Sequence, residues 1–243
     1  MPARIGEPKL EADDDEGRRR GRPVGRPPRI SRGRVVDAVL EMGIDRATIA
    51  GVAERLGVDP STLYGHVDSR DHMLAVAADA AVARARWPSE AEGDWRAFLT
   101  AIADSLWRLY RDHPGLAVHL RGMQSIPPAL MARSAQVVAT LRERFGLDVF
   151  QAALVTDTVG DTVIDSFLTI ARLEGPSTSD PHRTQRDRAL DALDPDGAPA
   201  PQDYVTVLHE ALGSPGGAED WWREKVQLVL DGLAFRLERT AAG

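Results

Sequence analysis

Apolar positions recur along most of the chain at spacings of three, four and seven, the repeat of an amphipathic helix. Ile49, Val52, Ala53 and Leu56 form one such stripe, which Gly57 ends. Val58 follows as the apolar contact that accompanies a left-handed helix terminus. Asp59 then offers a carboxylate acceptor to free helical amides, and Pro60 suits a first helical position. The pattern predicts a second, short helix from Pro60 to about Val67, with Leu63 and Val67 on one side and Ser61, Thr62, Tyr64 and His66 on the other. Upstream, Ser31 caps a helix to about Met42 with Val35, Val36, Val39 and Leu40 as its stripe, closed by Gly43. Downstream, Ser69 caps a helix that runs through an alanine-rich stretch to about Arg86, before Trp87-Pro88-Ser89 breaks it.

The rest reads as helices at about Asp94–Asp112, Leu116–Gln124, Pro128–Arg144, Val149–Leu173, Pro201–Leu212 and Ala218–Arg239, with no competing strand pattern. Glycine and proline fall at the breaks, so the predicted fold is all-α, with helices joined by short loops. Glu174 to Ala200 is the exception: rich in proline, serine, aspartate and arginine, it reads as a mobile loop.

Two helices joined by the short turn at Gly57-Val58 make a helix-turn-helix. The outer face of its second helix carries small hydroxyls, a phenol and an imidazole, groups that suit base edges and phosphate oxygens in a major groove. Thr48, at the start of the preceding helix, and Arg70, at the start of the following one, join Ser61, Thr62, Tyr64 and His66 as candidate DNA contacts. The order L-G-V, a polar pair, T-L-Y, H-V and a basic residue resembles the DNA-binding domain of the tetracycline-repressor (TetR) family. W-R-A-F-L followed by H-P-G-L-A-V-H-L resembles the family's core domain. Two positions depart from the pattern: Gly65 stands where tetracycline repressors carry a large aromatic, and Ala50 where they carry a basic residue, so base preference should differ.

Residues 1–29, rich in charge, glycine and proline and without an apolar period, read as a flexible arm, and the resemblance implies a three-helix DNA-binding domain (30–76) and a helical effector-binding and dimerisation domain (77–243). It further implies a homodimer, with Val149–Leu173 and Ala218–Arg239 paired with their symmetry mates, meeting two half-sites of a palindromic operator about 34 Å apart. A small-molecule effector in the second domain would release double-stranded DNA, making the protein a repressor. His119 falls where tetracycline repressors place a histidine that holds the drug-bound magnesium. Ile102 and Thr169 stand where those proteins have a polar amide and a metal second-shell carboxylate, which argues against a magnesium–tetracycline ligand. A lone histidine on a helix also fits a hydrogen-bonded core position.

Charge adds a polarity that the net value of −7 conceals: residues 1–34 hold 10 basic and 6 acidic side chains, leaving 20 basic and 31 acidic beyond. Arg18, Arg19, Arg20, Arg22 and Arg26 lie in the basic half of the arm. Arg20-Gly21-Arg22-Pro23 resembles an AT-hook core, with Gly25-Arg26-Pro27 as a weaker echo. Glycine and proline keep such a strand thin enough for a narrow A·T-rich minor groove. Phosphate binding without sequence preference is the alternative.

Thr158, Asp161, Thr162, Asp165 and Ser166 are unusual on a helix that should be largely buried, and buried carboxylates need partners. Either they pair across the dimer, or they face a cavity and grip a polar ligand whose apolar walls include Trp107, Met123 and Phe167. Arg86, His119, Asp161, Thr162 and Asp165 complete the candidate ligand set. Trp221 and Trp222 fit pocket or packing alike.

The chain contains no cysteine, which removes disulfides and thiolate metal sites, and no cofactor is expected. No apolar run reaches membrane-spanning length and the N-terminus lacks a signal-peptide core, so a cytoplasmic protein is expected. His113, His119 and scattered aspartates form no nucleophile–base or metal-ligand spacing, which argues against an enzyme. An architectural DNA-binding protein using only the arm is the remaining alternative. The large second domain weighs against it.

Overall fold

The computed structural model describes residues 30–88, 93–123, 126–177, 180–192, 202–214 and 216–241. The chain divides into two units, Met1–Ile30 and Ser31–Gly243. The arm and its arginines Arg18, Arg19, Arg20, Arg22 and Arg26 lie outside the described residues.

Among the described residues the second unit is helical, apart from a single antiparallel bridge between Pro176 and Thr184. Helices α1 (Arg32–Met42), α2 (Ile49–Leu56), α3 (Pro60–Leu63) and α4 (Arg70–Arg84) come first. They are followed by α5 (Trp95–Asp112), α6 (Leu116–Gly122), α7 (Pro128–Phe145), α8 (Val149–Glu174), α9 (Gln185–Ala192), α10 (Gln202–Gly213) and α11 (Gly217–Ala241). Polar side chains cap most of the early starts: Ser31, Thr48, Asp59, Ser69, Asp94 and Asp148 each accept an amide hydrogen bond from the first turn. Each such cap satisfies one of the free donors at a helix start.

Two predicted elements differ. The second helix of the motif closes after Leu63, and the chain continues as a tight turn in which His66 N donates to Leu63 O at 2.8 Å. The segment Glu174 to Ala200, read from composition as loop, contains α9. Its start is a reciprocal cap in which Thr184 N donates to Asp187 Oδ2 at 2.7 Å and Asp187 N donates to Thr184 Oγ1 at 3.1 Å.

Helix α8 is the centre of the larger bundle, packed against α5, α7, α11 and α6. The face of α5 towards it is apolar, with Leu99, Ile102, Leu106, Leu109 and Tyr110 buried. Burying each such side chain contributes roughly 1.5–3 kcal/mol, far more than helix propensity supplies. Trp222 of α11 lies flat on Trp107 of α5, with ring centroids 4.6 Å apart and planes 11° apart, and Phe167 of α8 meets Trp107 edge-on at 5.1 Å. Helix α1 packs against α4 and α2, completing the N-terminal three-helix layer with α3. No described helix is long and apolar enough to cross a membrane.

Candidate nucleic-acid interface and effector cavity

The helix-turn-helix is held from beneath. Val52 and Ala53 of α2, Leu63 of α3 and Val67 after it are all at most 2 % exposed. Gly57 has φ 66°, the left-handed conformation, and Val58 N donates back to Ala53 O at 3.0 Å. Asp59 Oδ1 accepts from Ser61 N at 2.8 Å, and the Ser61 hydroxyl and amide together hold the Asp59 carboxyl below the usual range. With its inner side anchored, α3 presents Ser61, Thr62 and Tyr64 outward, and Tyr64 is 56 % exposed. A large phenol left in water on a well-packed element is the informative feature here, since core packing gives no reason for it. His66 is half-buried at the edge of this face.

Two other candidates have structural duties. Thr48 caps α2 through its hydroxyl, which accepts from Gly51 N at 3.0 Å, while remaining exposed. Arg70 donates from Nε to Ala47 O at 3.0 Å, tying the start of α4 to the segment before α2. Its remaining guanidinium nitrogens stay available on an exposed side chain.

A cavity of about 380 Å³ lies between α5, α6, α7 and α8, with Trp87 beyond the end of α4 on its wall. Ile102, Leu106, Leu120, Met123, Leu130, Val137 and Ile164 give it an apolar body. Its polar groups are Tyr110, Arg121, Arg133, Ser134, Thr156, Asp157 and Asp161. This is the composition of a small-molecule site: concave, mostly apolar, with a few polar groups at fixed positions. Burial pushes the Tyr110 phenol well above its ordinary value, so it stays a neutral hydrogen-bond group.

The acidic pair on α8 has a partner within the chain that the sequence reading missed. Arg121 of α6 donates to Asp161 Oδ1 at 2.8 Å and to Asp165 Oδ2 at 2.6 Å. Asp161 and Asp165, expected to be buried, are exposed and sit one turn apart beneath one guanidinium. The available signal was an i, i+4 acidic pair on one helix and a lone arginine at the end of another.

Of the sequence-predicted ligand residues, Met123 and Asp161 line the cavity. Arg86 lines a neighbouring open groove of about 1040 Å³. Trp107 and Phe167 belong to the aromatic core behind the cavity, and Thr162 is half-buried with its hydroxyl donating to Thr158 O at 2.7 Å. Asp165 reaches the site only through Arg121. His119 is half-buried off the cavity wall. Burial lowers its pKa, and its Nε2 has no hydrogen-bond partner among the described residues. Both tryptophans border a separate apolar cavity of about 220 Å³, Trp222 as a core side chain 1 % exposed and Trp221 as an exposed one.

The start of α6, a helix whose far end reaches the cavity wall, touches the turn that precedes the helix-turn-helix. Ile44 N, in the turn between α1 and α2, donates to Pro114 O at 3.0 Å. The adjacent Gly115 has φ 84° and lies so close to Asp45 that an added Cβ would come within 2.4 Å of Asp45 N. Seven residues later the same helix ends beside Arg121, on the cavity wall.

Solved structures share this fold. The TetR family protein ActR of Streptomyces coelicolor, in complex with actinorhodin, superposes with a TM-score of 0.64 over 84% of this chain and 97% of its own, at 21% identity. The chain has the TetR-family fold. No family model matches it. Among curated proteins, an HTH-type transcriptional regulator of Saccharopolyspora erythraea is 30% identical over 118 residues, 47% of this chain and 50% of its own. The HTH-type transcriptional repressor DrrR1 of Streptomyces coeruleorubidus is 31% identical over 142 residues, 55% of this chain and 50% of its own. The chain thus spans about half the length of the curated relatives it matches, and these carry the names of transcriptional regulators rather than enzymes.

Proposed function

We propose that the protein is a ligand-responsive DNA-binding regulator, acting as a homodimer on a palindromic operator and as a repressor that a small molecule releases. The observation that carries this reading is the outward face of α3: Ser61, Thr62 and Tyr64 are solvent-facing on an element whose opposite side is fully buried. A short, rigid, polar helix of this kind suits a major groove, where hydroxyls and a phenol meet base edges and phosphates.

A dimer is supported by the apolar surface on α8 and α11. Phe150 is 70 % exposed, Leu228 71 % and Phe235 60 %, with Leu154 alongside. Contiguous apolar residues of this size mark a protein interface, and burying helix faces against their symmetry mates gives a four-helix contact. Two copies of α3 then read two half-sites.

Release requires differential binding: an effector lowers operator affinity only by as much as it prefers the DNA-incompatible conformation, typically about 1–3 kcal/mol of coupling. The Pro114–Ile44 hydrogen bond and the Gly115–Asp45 contact supply a physical link along which occupancy of the cavity would shift the helix-turn-helix. The test is a fluorescence-anisotropy titration of the full chain onto DNA upstream of its own gene and onto scrambled DNA, at several salt concentrations. Tighter binding to the upstream DNA, at two chains per site, is expected. Equal affinity for both, with steep salt dependence, contradicts the reading.

A further inference from the structure

We propose that the effector cavity takes an amphipathic organic anion, with Arg133 pairing its acidic group and the apolar wall of the cavity covering its body. This rests on the reading of the cavity as an effector site, and names the class of ligand.

Three residues, Trp87, Arg133 and Val137, line both the cavity of about 380 Å³ and the open groove beside it. Arg133 therefore stands where a ligand entering from solvent passes into the apolar interior. Its guanidinium lies over the Trp87 ring, 5.0 Å from the centroid. That ring is itself fixed, because Trp87 Nε1 donates to Val82 O at 3.1 Å. Stacking of this kind holds an arginine's planar fork in place while leaving its N–H edge free.

What distinguishes Arg133 among the described residues is its lack of an anion. Arg121, the other arginine on the cavity wall, is occupied by Asp161 and Asp165. Among the described residues no carboxylate pairs with Arg133, and burial pulls its pKa below the ordinary guanidinium value. A partly desolvated cation with five donors and no acceptor gains more from an incoming carboxylate, sulfonate or ionised phenol than an exposed arginine would. The groove outside favours the same charge, since among the described residues Arg86, Arg133 and Arg144 line it against the one carboxylate of Glu143.

The opposite wall sets the other end of the ligand. On α8, Asp157 repels a second acid there and accepts from hydroxyl or amine donors, while Asp161 is already paired with Arg121. The neutral Tyr110 phenol and Thr156 add uncharged hydrogen-bond groups. The arrangement thus selects one acidic group at the α7 side, an apolar body, and donors facing α8.

Two probes with the same rings test this on the full-length protein: 1-anilinonaphthalene-8-sulfonate, an anion, and N-phenyl-1-naphthylamine, which lacks the sulfonate. Fluorescence titration gives both affinities for wild type, Arg133→Gln, Arg133→Lys and Gly160→Leu. Gly160 lines the cavity, and a Cβ added there meets nothing within 4 Å, so leucine fills the space without displacing backbone. Arg133→Gln should weaken the sulfonate about tenfold or more while changing the neutral probe less than about twofold. Arg133→Lys should retain part of the preference, and Gly160→Leu should remove both probes. The ratio of the two affinities is the readout, because a general loosening of the fold moves both alike. If Gly160→Leu removes both probes but the sulfonate preference survives Arg133→Gln, the anion assignment is wrong and the effector site stands. If neither probe responds to Gly160→Leu, the cavity is not the binding site and both readings fall.

Discussion

Replacing Gly115 by alanine should uncouple the two halves of the fold, and Gly146 provides the matched control. Both glycines are left-handed, with φ 84° and 74°, so alanine at either costs about 1–2 kcal/mol in backbone strain alone. Around Gly146, the residue that ends α7, an added Cβ meets nothing within 4 Å. At Gly115 the same carbon would lie 2.4 Å from Asp45 N and 2.7 Å from Asp45 Cβ, distances that force the α5–α6 connection away from the turn between α1 and α2. Overpacking of this type adds about 1–3 kcal/mol. The Ile44–Pro114 hydrogen bond, about 1 kcal/mol net, would be lost as well if the segments part. Gly115→Ala should therefore destabilise the fold by about 3–6 kcal/mol against about 1–2 for Gly146→Ala. At about 2–4 °C per kcal/mol for a chain of this size, the difference between the two midpoints should be at least about 4 °C. Circular dichroism melts at matched protein concentration read this directly, concentration being fixed because the proposed dimerisation would raise the apparent midpoint. Equal midpoints for the two variants would refute the close contact. A Gly115→Ala protein that folds, binds DNA and still responds fully to an effector would refute its role in coupling.

Four further outcomes follow from the same structure. Burial lowers the pKa of His113 and His119 below the ordinary 6.5, so the unfolded chain takes up protons first as pH falls through that value; stability should drop from pH 7.5 to 5.5 in urea titrations, and changing both histidines to glutamine should flatten the drop. Trp222→Ala removes a 1 % exposed side chain stacked on Trp107 and should cost about 3–5 kcal/mol by urea denaturation, a value within 1 kcal/mol of zero being incompatible with this core. Aspartate at both Phe150 and Leu228 should convert the proposed dimer to monomer by analytical ultracentrifugation while leaving the helical circular dichroism intact. Gly65 is not left-handed, and a Cβ there meets only Thr62 O at an ordinary 3.5 Å; Gly65→Ala should leave stability unchanged or raise it by about 0.4–1 kcal/mol, so that any effect on DNA affinity reports on the interface itself.

The helix-turn-helix was legible because its information is local. Thr48, Asp59 and Ser69 announce helix starts by residue type, Gly57 announces the turn, and the stripe through Val52, Ala53, Leu63 and Val67 announces the buried side. Each is a rule about neighbours within a turn or two. Helix α9 was equally announced by the sequence T-Q-R-D, whose first and fourth residues cap each other, but the polar composition of the surrounding segment outweighed that signal. The cavity was less legible, since its members converge only in three dimensions. Arg121 meets carboxylates 40 and 44 positions away, and Arg133 meets a tryptophan from the end of another helix. Helical periodicity cannot say whether an apolar side chain faces core or cavity, which is why Trp107 and Phe167 read as candidate walls while Ile102 and Leu106, on the same helix as Trp107, line the cavity.

Most direct for the account as a whole is the specificity of DNA binding with the α3 face altered. Anisotropy titrations of wild type, Thr62→Ala and Tyr64→Ala onto the upstream and scrambled DNA give a specificity ratio for each protein at one salt concentration. If α3 reads the operator, either substitution lowers affinity for the upstream DNA by about 1–3 kcal/mol and leaves binding to scrambled DNA nearly unchanged, so the ratio falls. A ratio that stays at its wild-type value in both variants would place sequence recognition elsewhere and contradict the central claim.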